Sequence, residues 1–365
     1  MAGFGAEKEI FDSGAFNHDE LWMGFCSYDL KNRLHHLESN HPGAVSVPDY
    51  WFFKPSKHYL LNRNGEEYSN FELPIAYNSN ATLENSLQFS CSTTKPEYCG
   101  NVEAIKHCIA QGDFYEMNYC LQFASNVRPD PIDSFIRLNA VSPAPYAVFL
   151  KFRGQYLLCE SPERFIARRG DVLIAQPIKG TRRRLKNVND DKAVCEELRN
   201  SEKDRAENIM IVDLIRNDMS RVCQPGTVEV TELCGIYSFS HVHQMISTVS
   251  GELKPDTQWP EIVEANFPMG SMTGAPKIQV MKDIERFENF SRGWYSGCVG
   301  YHYGSDFDFN VVIRSLQIPE NGDSAYYHTG GAITFDSDAE AEYKECLDKA
   351  AGMFSALNAQ LVSNL

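Results

Sequence analysis

The sequence predicts an α+β fold with largely antiparallel sheets, on three observations. Strand-like runs follow one another and helical runs follow one another, without the strict β-α-β alternation of a parallel sheet. No Gly-x-Gly-x-x-Gly follows a strand and no Gly-Lys-Ser/Thr phosphate loop is present, which disfavours a Rossmann domain. The 365 residues are 43% hydrophobic and 23% charged, ordinary globular material sufficient for about two average domains or one large one.

Residues 1–100 are the least regular. They hold Pro42, Pro48, Pro55 and Pro74 and a polar stretch from Asn78 to Thr94, and are expected to form a partial subdomain followed by a loop or linker. A helix is expected over residues 101–111, where Val102, Ile105 and Ile109 share one face. Tyr146 to Phe152, Gln155 to Cys159 and Val172 to Pro177 read as strands, with turns at Gly154 and at Arg169-Gly170-Asp171. Residues 190–217 read as one or two charged helices, and Val228 to Leu233 and His243 to Val249 as strands. Pro276, suited to a first helical turn, opens a helix that runs to about Phe287. Ser296 to Tyr303 and Phe309 to Ile318 read as a hairpin around Gly304-Ser305-Asp306. Tyr326 to Phe335 is a further strand, and Asp338 caps a long C-terminal helix.

With 34 basic and 49 acidic residues the net charge is −15. A negative field argues against a general binder of nucleic acid or anionic membranes. Apolar runs such as Tyr146 to Phe152 fall short of the ~20 residues a membrane span requires. Met1 to Ser13 lacks a basic segment followed by an apolar one, so no secretion signal is expected. Eleven Cys with no Cys-x-x-Cys pair fit reduced thiols, and the expected location is the cytoplasm.

Five constellations could carry chemistry. Asp204 and Glu207 are three apart in a helical stretch, as are Glu342 and Glu345, which puts each pair on one helix face. Brought together they would form an oxygen-rich site suited to Mg²⁺; the same spacing also fits acids on solvated helix faces. Lys179, in Gln176-Pro-Ile-Lys-Gly-Thr181, is a candidate nucleophile or base if desolvation or a neighbouring cation lowers its pKa, and otherwise an exposed turn lysine. The loop from Phe267 to Lys277, which carries Thr273 and Gly274, runs into a helix. Its free N–H groups and Lys277 would suit a carboxylate or phosphate, or it is a plain loop-to-helix turn. Gly330-Gly331-Ala332 in a strand, with Arg314 and Tyr301 on the preceding hairpin, would admit and grip a carboxylate, or mark tight strand packing beside a surface arginine. Glu163, in Ser161-Pro-Glu-Arg-Phe165, would be a general acid or base if its turn faces a cleft, and a solvated turn residue if not. There is no Gly-x-Ser-x-Gly elbow, no His-Glu-x-x-His and no Cys beside a Gly-rich elbow. Any ammonia the chain uses would come from elsewhere.

In this order the stretches resemble the chorismate-utilising enzymes. The matching segments are Gly112 to Tyr119, Ser161 to Phe165, Pro177 to Thr181, Asp204 to Asp213, Gly270 to Lys277, Gly297 to Tyr301, Ile313-Arg314 and Gly330 to Lys349, within about residues 100–360. The resemblance implies a single large domain of two packed, mostly antiparallel β-sheets flanked by helices, as in anthranilate synthase component I. It further implies that residues 1–95 are a shortened N-terminal region contributing to the sheets and residues 96–365 the chorismate-binding catalytic region. Lys179 points to the aminodeoxychorismate synthase branch, which serves para-aminobenzoate and folate synthesis; anthranilate synthases typically carry Ala there. Glu116 stands where isochorismate and salicylate synthases typically place a water-activating Lys, which argues against water as the nucleophile.

The resemblance also implies roles. Mg²⁺ would be held by Glu207 and Glu345, with Asp204 and Glu342 close by through water, and would bind the ring carboxylate of chorismate. Gly180 and Thr181 would contact the same carboxylate. Arg314, Tyr301 and the backbone at Gly330, Gly331 and Ala332 would grip the enolpyruvyl carboxylate. Thr273 and Gly274 would contact the substrate, and Lys277 would support the substrate or the metal-side acids. Lys179 would attack C2 while Glu163 protonates the departing 4-hydroxyl. Ammonia would come from a glutamine amidotransferase subunit. Two features depart from the family pattern. Gln244 stands where many relatives carry a His, and His243, one place earlier, lies on the opposite strand face. The N-terminus is short, so tryptophan binding is not expected. The competing expectations are anthranilate formation, against which Lys179 counts, and a non-catalytic subunit, against which the intact carboxylate set counts.

Overall fold

The alternations at Tyr146 to Phe152 and Gln155 to Cys159 meet as one antiparallel hairpin, and antiparallel pairing of this kind organises the chain. The computed structural model describes residues 1–11, 20–61, 65–71, 87–239 and 241–362. Pro74 and most of the polar stretch that starts at Asn78 lie outside the described residues.

The N-terminal part comprises β1 (Ala2–Ile10), β2 (Leu21–Cys26), α1 (Leu30–His35), β3 (Tyr50–Leu61) and β4 (Glu67–Ser69). It is followed by β5 (Gln88–Cys91), α2 (Lys95–Gln111), β6 (Glu116–Ser125), α3 (Pro131–Val141), β7 (Tyr146–Phe152) and β8 (Gln155–Ser161). Next come β9 (Arg164–Arg169), β10 (Val172–Gln176), β11 (Ile178–Arg183), α4 (Val188–Asn200), α5 (Glu202–Ser220), β12 (Glu229–Ser238) and β13 (Val242–Glu252). Then α6 (Trp259–Asn266), β14 (Gly274–Ala275), α7 (Lys277–Phe287), β15 (Cys298–Tyr303), β16 (Asp306–Asn310), β17 (Ser315–Ile318), β18 (Tyr326–Ile333), α8 (Ala339–Ala356) and β19 (Gln360–Val362) complete the chain.

These strands form two sheets. The first has 11 strands in the order β1-β3-β2-β15-β16-β9-β10-β13-β11, with β12 on β13 and β4 on β3. The second has 8 strands in the order β19-β5-β6-β18-β17-β8-β7, with β14 on β6. Among the described strand pairs only β19 with β5 is parallel, and an isolated parallel bridge joins Gly43 to Ser291. Phe25, Trp51 and Val299 from the first sheet interlock with Phe152 and Leu157 from the second. Ring centroids there stand 4.9 Å apart for Trp51 and Phe152. On the outer face of the first sheet pack Val212 and Met219 of α5 and Ile262 and Val263 of α6. On the second pack Val102 and Ile105 of α2 and Met353 and Phe354 of α8. The result is one domain of two packed, mostly antiparallel sheets flanked by helices.

Several boundaries differ from the sequence expectation, each for a local reason. The helix expected from residue 101 begins at Lys95, because Thr94 and Glu97 form a reciprocal capping box inside the polar stretch. Residues 190–217 form two helices, parted at Ser201, whose hydroxyl accepts from the Asp204 N–H. The N-terminal part is more regular than its prolines suggest. Pro55 sits inside the long strand β3 beside an irregularity in the β1–β3 pairing, where a missing N–H is tolerated. Phe309 to Ile318 is not one strand. β16 ends at Asn310, and the chain crosses from the first sheet to the second before β17 starts. Arg314 turns this corner with φ 48. The step from β8 to β9 is a crossing of the same kind, through Pro162 and Glu163. The two crossings lie side by side. The Val311 N–H donates to the Glu163 carbonyl at 3.0 Å, and the Glu160 N–H donates to the Arg314 carbonyl at 3.1 Å.

Candidate active site

The first sheet delivers Lys179 on β11 and the second delivers Glu116 at the start of β6. Lys179 Nζ donates to Glu116 Oε1 at 2.9 Å, in a pair whose side chains are 10% and 1% exposed. This corrects the expectation of a depressed lysine. Burial alone would push the ammonium down, but Glu116 and Glu207 outweigh it, and the pKa lies above the usual lysine value. The next residue, Gly180, has φ 84, and a Cβ there would stand 3.0 Å from Asp204 Cβ. Only glycine lets β11 pass this close to α5.

The crossing segments supply Glu163 and Arg314. Glu163 is buried, and its Oε1 accepts from the Ser271 hydroxyl at 2.9 Å. Burial pushes it up to about 7, against the pull of the Ser271 bond, Lys179 and Arg314. A cavity of about 20 Å³ adjoins it, bordered also by Ser271, Asn266 and Asp218, with room for about one water. Arg314 is lowered by burial, and both Tyr327 and Glu163 act on its charge. No hydrogen bond or ion pair holds its guanidinium among the described residues, which leaves its donors for an anion.

The α5 and α8 acids face each other without converging. Gly331 of β18 lies against α8: a Cβ there would come 3.1 Å from Glu342 Oε2 and 4.0 Å from Glu345 Oε1. Between the helices stands Lys203, a residue the sequence reading missed, although its i,i+4 spacing to Glu207 was visible. Its Nζ is 3.9 Å from Glu207 and 3.4 Å from Glu342. Asp204 is taken by Arg182 at 2.9 Å and Glu345 by Lys349 at 2.8 Å. Burial pushes Glu207 up to about 7, with Glu116 and Asp204 adding to it and Lys179 and Lys203 opposing. Glu345 is 47% exposed; partial desolvation raises it, but Lys349, Lys203 and Lys179 leave it below the usual value. Among the described residues no three His, Cys, Asp or Glu side chains stand close enough to hold a metal between them. The set still fits Mg²⁺ in kind. It offers hard carboxylate oxygens, it already draws a cation between Glu207 and Glu342, and Mg²⁺ needs only one or two protein carboxylates.

The remaining residues divide. Gly274 pairs with Met117 and has φ 145; a Cβ there would stand 2.0 Å from the Glu116 carbonyl, so the loop locks onto the strand that carries Glu116. Thr273 is buried and its hydroxyl donates to the Met269 carbonyl at 3.1 Å. Lys277 departs from the expectation of a ligand-facing cation. It is lowered by burial and bonds Asp218 of α5 at 2.6 Å and the Asn266 carbonyl at 3.1 Å. Tyr301 pairs with Asp308, and the charges that act on it are those of Arg169, Asp308 and Arg164. The structure joins it to that network and not to Arg314. Thr181 is exposed and stands opposite Gln244, and the Gly330 carbonyl accepts from Lys349 at 2.8 Å. Ala332, opposite Asn118, continues the same strand. Behind the loop, the buried Arg292 donates to the Met272 and Asn118 carbonyls at 2.8 and 3.0 Å and pairs with Glu288 at 2.5 Å. No short motif announced Ser271 or Arg292 as supports.

On β13 the two neighbours face opposite ways. His243 Nε2 meets Asp191 at 3.1 Å and its Nδ1 meets the Ser238 hydroxyl at 2.8 Å, in a clasp that also holds Arg184. Gln244 is buried and its Oε1 has no partner among the described residues.

The profile of the chorismate binding enzyme family matches residues 6–355. The chain is 32% identical over 360 residues to aminodeoxychorismate synthase component 1 of Bacillus subtilis, covering 92% of this chain and 76% of that protein. It is 40% identical over 303 residues to the chloroplastic aminodeoxychorismate synthase of Arabidopsis thaliana, covering 82% of this chain but only 32% of the plant protein. The crystal structure of anthranilate synthase component I from Streptococcus pneumoniae superposes with a TM-score of 0.79 at 25% identity, covering 94% of this chain and 83% of that one. The chain belongs to the chorismate binding enzyme family.

Proposed function

We propose that this member of the family converts chorismate and ammonia to 4-amino-4-deoxychorismate, as component I of an aminodeoxychorismate synthase in the para-aminobenzoate branch of folate synthesis. The observation that carries the reading is the enclosed Lys179, aimed between the sheets and flanked by Glu163. In this reading Lys179 passes a proton to the Glu116 carboxylate it bonds, and its nitrogen bonds to C2 as the C4–O bond breaks. Glu163 protonates the departing hydroxyl, which leaves as water. Ammonia then bonds to C4, the C2–N bond breaks and the lysine is released. Its pKa near neutrality suits Glu163 to the role of acid.

Burying the dianion requires compensating charge. Arg314, with its unspent donors, and the backbone of Gly330, Gly331 and Ala332 would hold the enolpyruvyl carboxylate, with Tyr301 at the edge of that site. Gly180 and Thr181 would meet the ring carboxylate. Glu207 and Glu345 would hold Mg²⁺, with Asp204 and Glu342 nearby; when bound, it supplies positive charge opposite the ring carboxylate. Thr273, Gly274 and Lys277 would shape the loop beneath the substrate. Residues 96–365 would be the catalytic region, with 1–95 completing the sheets, and a cytoplasmic glutamine amidotransferase subunit would supply the ammonia.

The deciding experiment is product analysis by chromatography and mass with chorismate, Mg²⁺ and excess ammonium, with and without EDTA. An aminodeoxychorismate peak lost with EDTA and in Lys179→Ala is expected. An anthranilate peak would move the chain to the branch suggested by its structural neighbour. Full activity of Lys179→Ala would remove the covalent step.

A further inference from the structure

The hydroxyl of Ser271 is aimed by its own loop. Three consecutive carbonyls there are held from outside it. The Asn118 side-chain amide donates to the Ser271 carbonyl at 3.3 Å, Arg292 donates to the Met272 carbonyl at 2.8 Å, and the Asn118 N–H donates to the Thr273 carbonyl at 2.7 Å. A Cβ at Gly270 would stand 2.5 Å from Leu214 of α5, so the loop is also packed tightly from that side. Ser271 is 7% exposed, and its hydroxyl donates to Oε1 of Glu163 at 2.9 Å. Among the influences that oppose burial at Glu163 this bond is the strongest, ahead of Lys179, the Ile178 N–H and Arg314. Arg164 and Asp218 border the same cavity, but Arg164 is paired with Asp308 and Asp218 with Lys277. An Oε1 that accepts from Ser271 leaves the acid proton to Oε2.

Resting on the function proposed above, we propose that Ser271 is the positioning residue of the acid step: it keeps the Glu163 proton on Oε2 and stabilises the carboxylate that the step leaves behind. The proton on Oε2 passes to the departing oxygen, which takes the C4–O electron pair and leaves as water. Negative charge then spreads over both Glu163 oxygens, and a hydrogen bond to an ionised acceptor is roughly twice as strong as one to a neutral acceptor. The Ser271 bond therefore strengthens as the proton moves, which lowers a barrier and does not tighten substrate binding. Glu163 regains its proton when the C4 ammonium formed by ammonia addition sheds one to it, so the cycle closes. Asn118 lies two residues after Glu116 on β6, so the acid and the partner of Lys179 share one frame.

Formation of the lysine adduct without ammonium isolates this step from the titration of ammonia itself. Its rate would be followed by intact-protein mass against pH, from 5.5 to 9, with Mg²⁺ and a range of chorismate concentrations. In Ser271→Ala we expect the low-pH plateau to fall about 10-fold. The alkaline limb, at about 7 in the wild type, should move up by about one pH unit, because the lost donor favoured the ionised form. The chorismate concentration for half-maximal rate should stay within about twofold. Ser271→Cys fills the same space with a weak donor, so no water stands in for the hydroxyl, and it should behave as Ser271→Ala does. Glu163→Gln should lose the limb altogether, which assigns the limb to Glu163. A limb that stays at its wild-type pH in the Ser271 variants, or a plateau rate that does not fall, would overturn the role and leave Ser271 a fixture of the loop. If thermal melting shows Ser271→Ala misfolded, Ser271→Cys carries the same measurements with the same criteria. A limb that persists in Glu163→Gln, or wild-type protein that forms neither adduct nor aminodeoxychorismate, would mean that the acid or the proposed function has failed, and the role of Ser271 with it.

Discussion

Glu163 owes its proposed role to where its carboxyl is kept. Burial raises it to about 7 while the Ser271 hydroxyl steadies one oxygen. Glu163→Gln is therefore expected to lower kcat by about 10²- to 10⁴-fold with KM for chorismate little changed. The pH profile follows from the sign of the shift. An acid must hold its proton, so the wild-type rate should fall as pH rises through about 7, and steady-state rates from pH 6 to 9 would show it. The same shift acts on stability. The folded protein holds a proton that the unfolded chain releases above about 4.5, so this contribution is present below that pH and lost as pH climbs to about 7. At this scale the sequence was legible where a motif concentrates function, as in Ser161 to Phe165 and Pro177 to Thr181. It was illegible where the controlling neighbour is remote. The partner that raises Lys179 lies 63 residues upstream on the other sheet. Glu160, three residues before Glu163, is likewise raised to about 7 by burial, and nothing in its local sequence says so.

Strand alternation turns the neighbouring side chains of β13 to opposite faces. His243 points to Asp191 and Ser238, and the buried Gln244 stands opposite Thr181 of β11. His243→Ala is expected to lower stability by about 1–3 kcal/mol with kcat/KM intact, and Gln244→Ala to lower kcat/KM at nearly unchanged Tm; melting and rate measurements on both variants decide it. The face assignment was readable because a period of two needs no partner to define it. The start of α8 was readable from its local cap, Asp338, whose side chain accepts from the Ala341 N–H; the equally local capping box at Thr94 was overlooked inside its polar stretch. Elements buried on both faces were not. Most of Glu116 to Ser125 is enclosed, so polar and apolar residues lose their alternation. Phe309 to Ile318 read as one strand because each half is strand-like; the break lies in the positive φ of Arg314, which the residue type does not announce.

At the scale of the molecule, the two sheets meet around charged groups that neither holds alone. Arg292 joins the loop at Met272 to β6 at Asn118 and is neutralised by Glu288, which also accepts from the Cys120 N–H at 3.0 Å. Arg292→Met should cost about 3–5 kcal/mol by stranding Glu288, and Arg292→Met with Glu288→Met should recover much of it; denaturant unfolding of the two variants gives the comparison. That the acids of α5 and α8 would belong to one region was implied by the family resemblance; their paired spacing alone fitted solvated helix faces as well. That Lys203 would stand between them was not legible, because it depends on how two helices from distant parts of the chain approach. The paired sheet crossings carry a last consequence, for length. Glu163 and Arg314 sit on adjacent short steps tied by backbone hydrogen bonds, so neither step has slack. One residue added or removed in either would rotate an acid or an anion grip out of line, whereas the exposed turn at Gly304-Ser305 faces no such constraint. Among natural and engineered variants, insertions and deletions should therefore gather at the hairpin tips and leave both crossings at constant length.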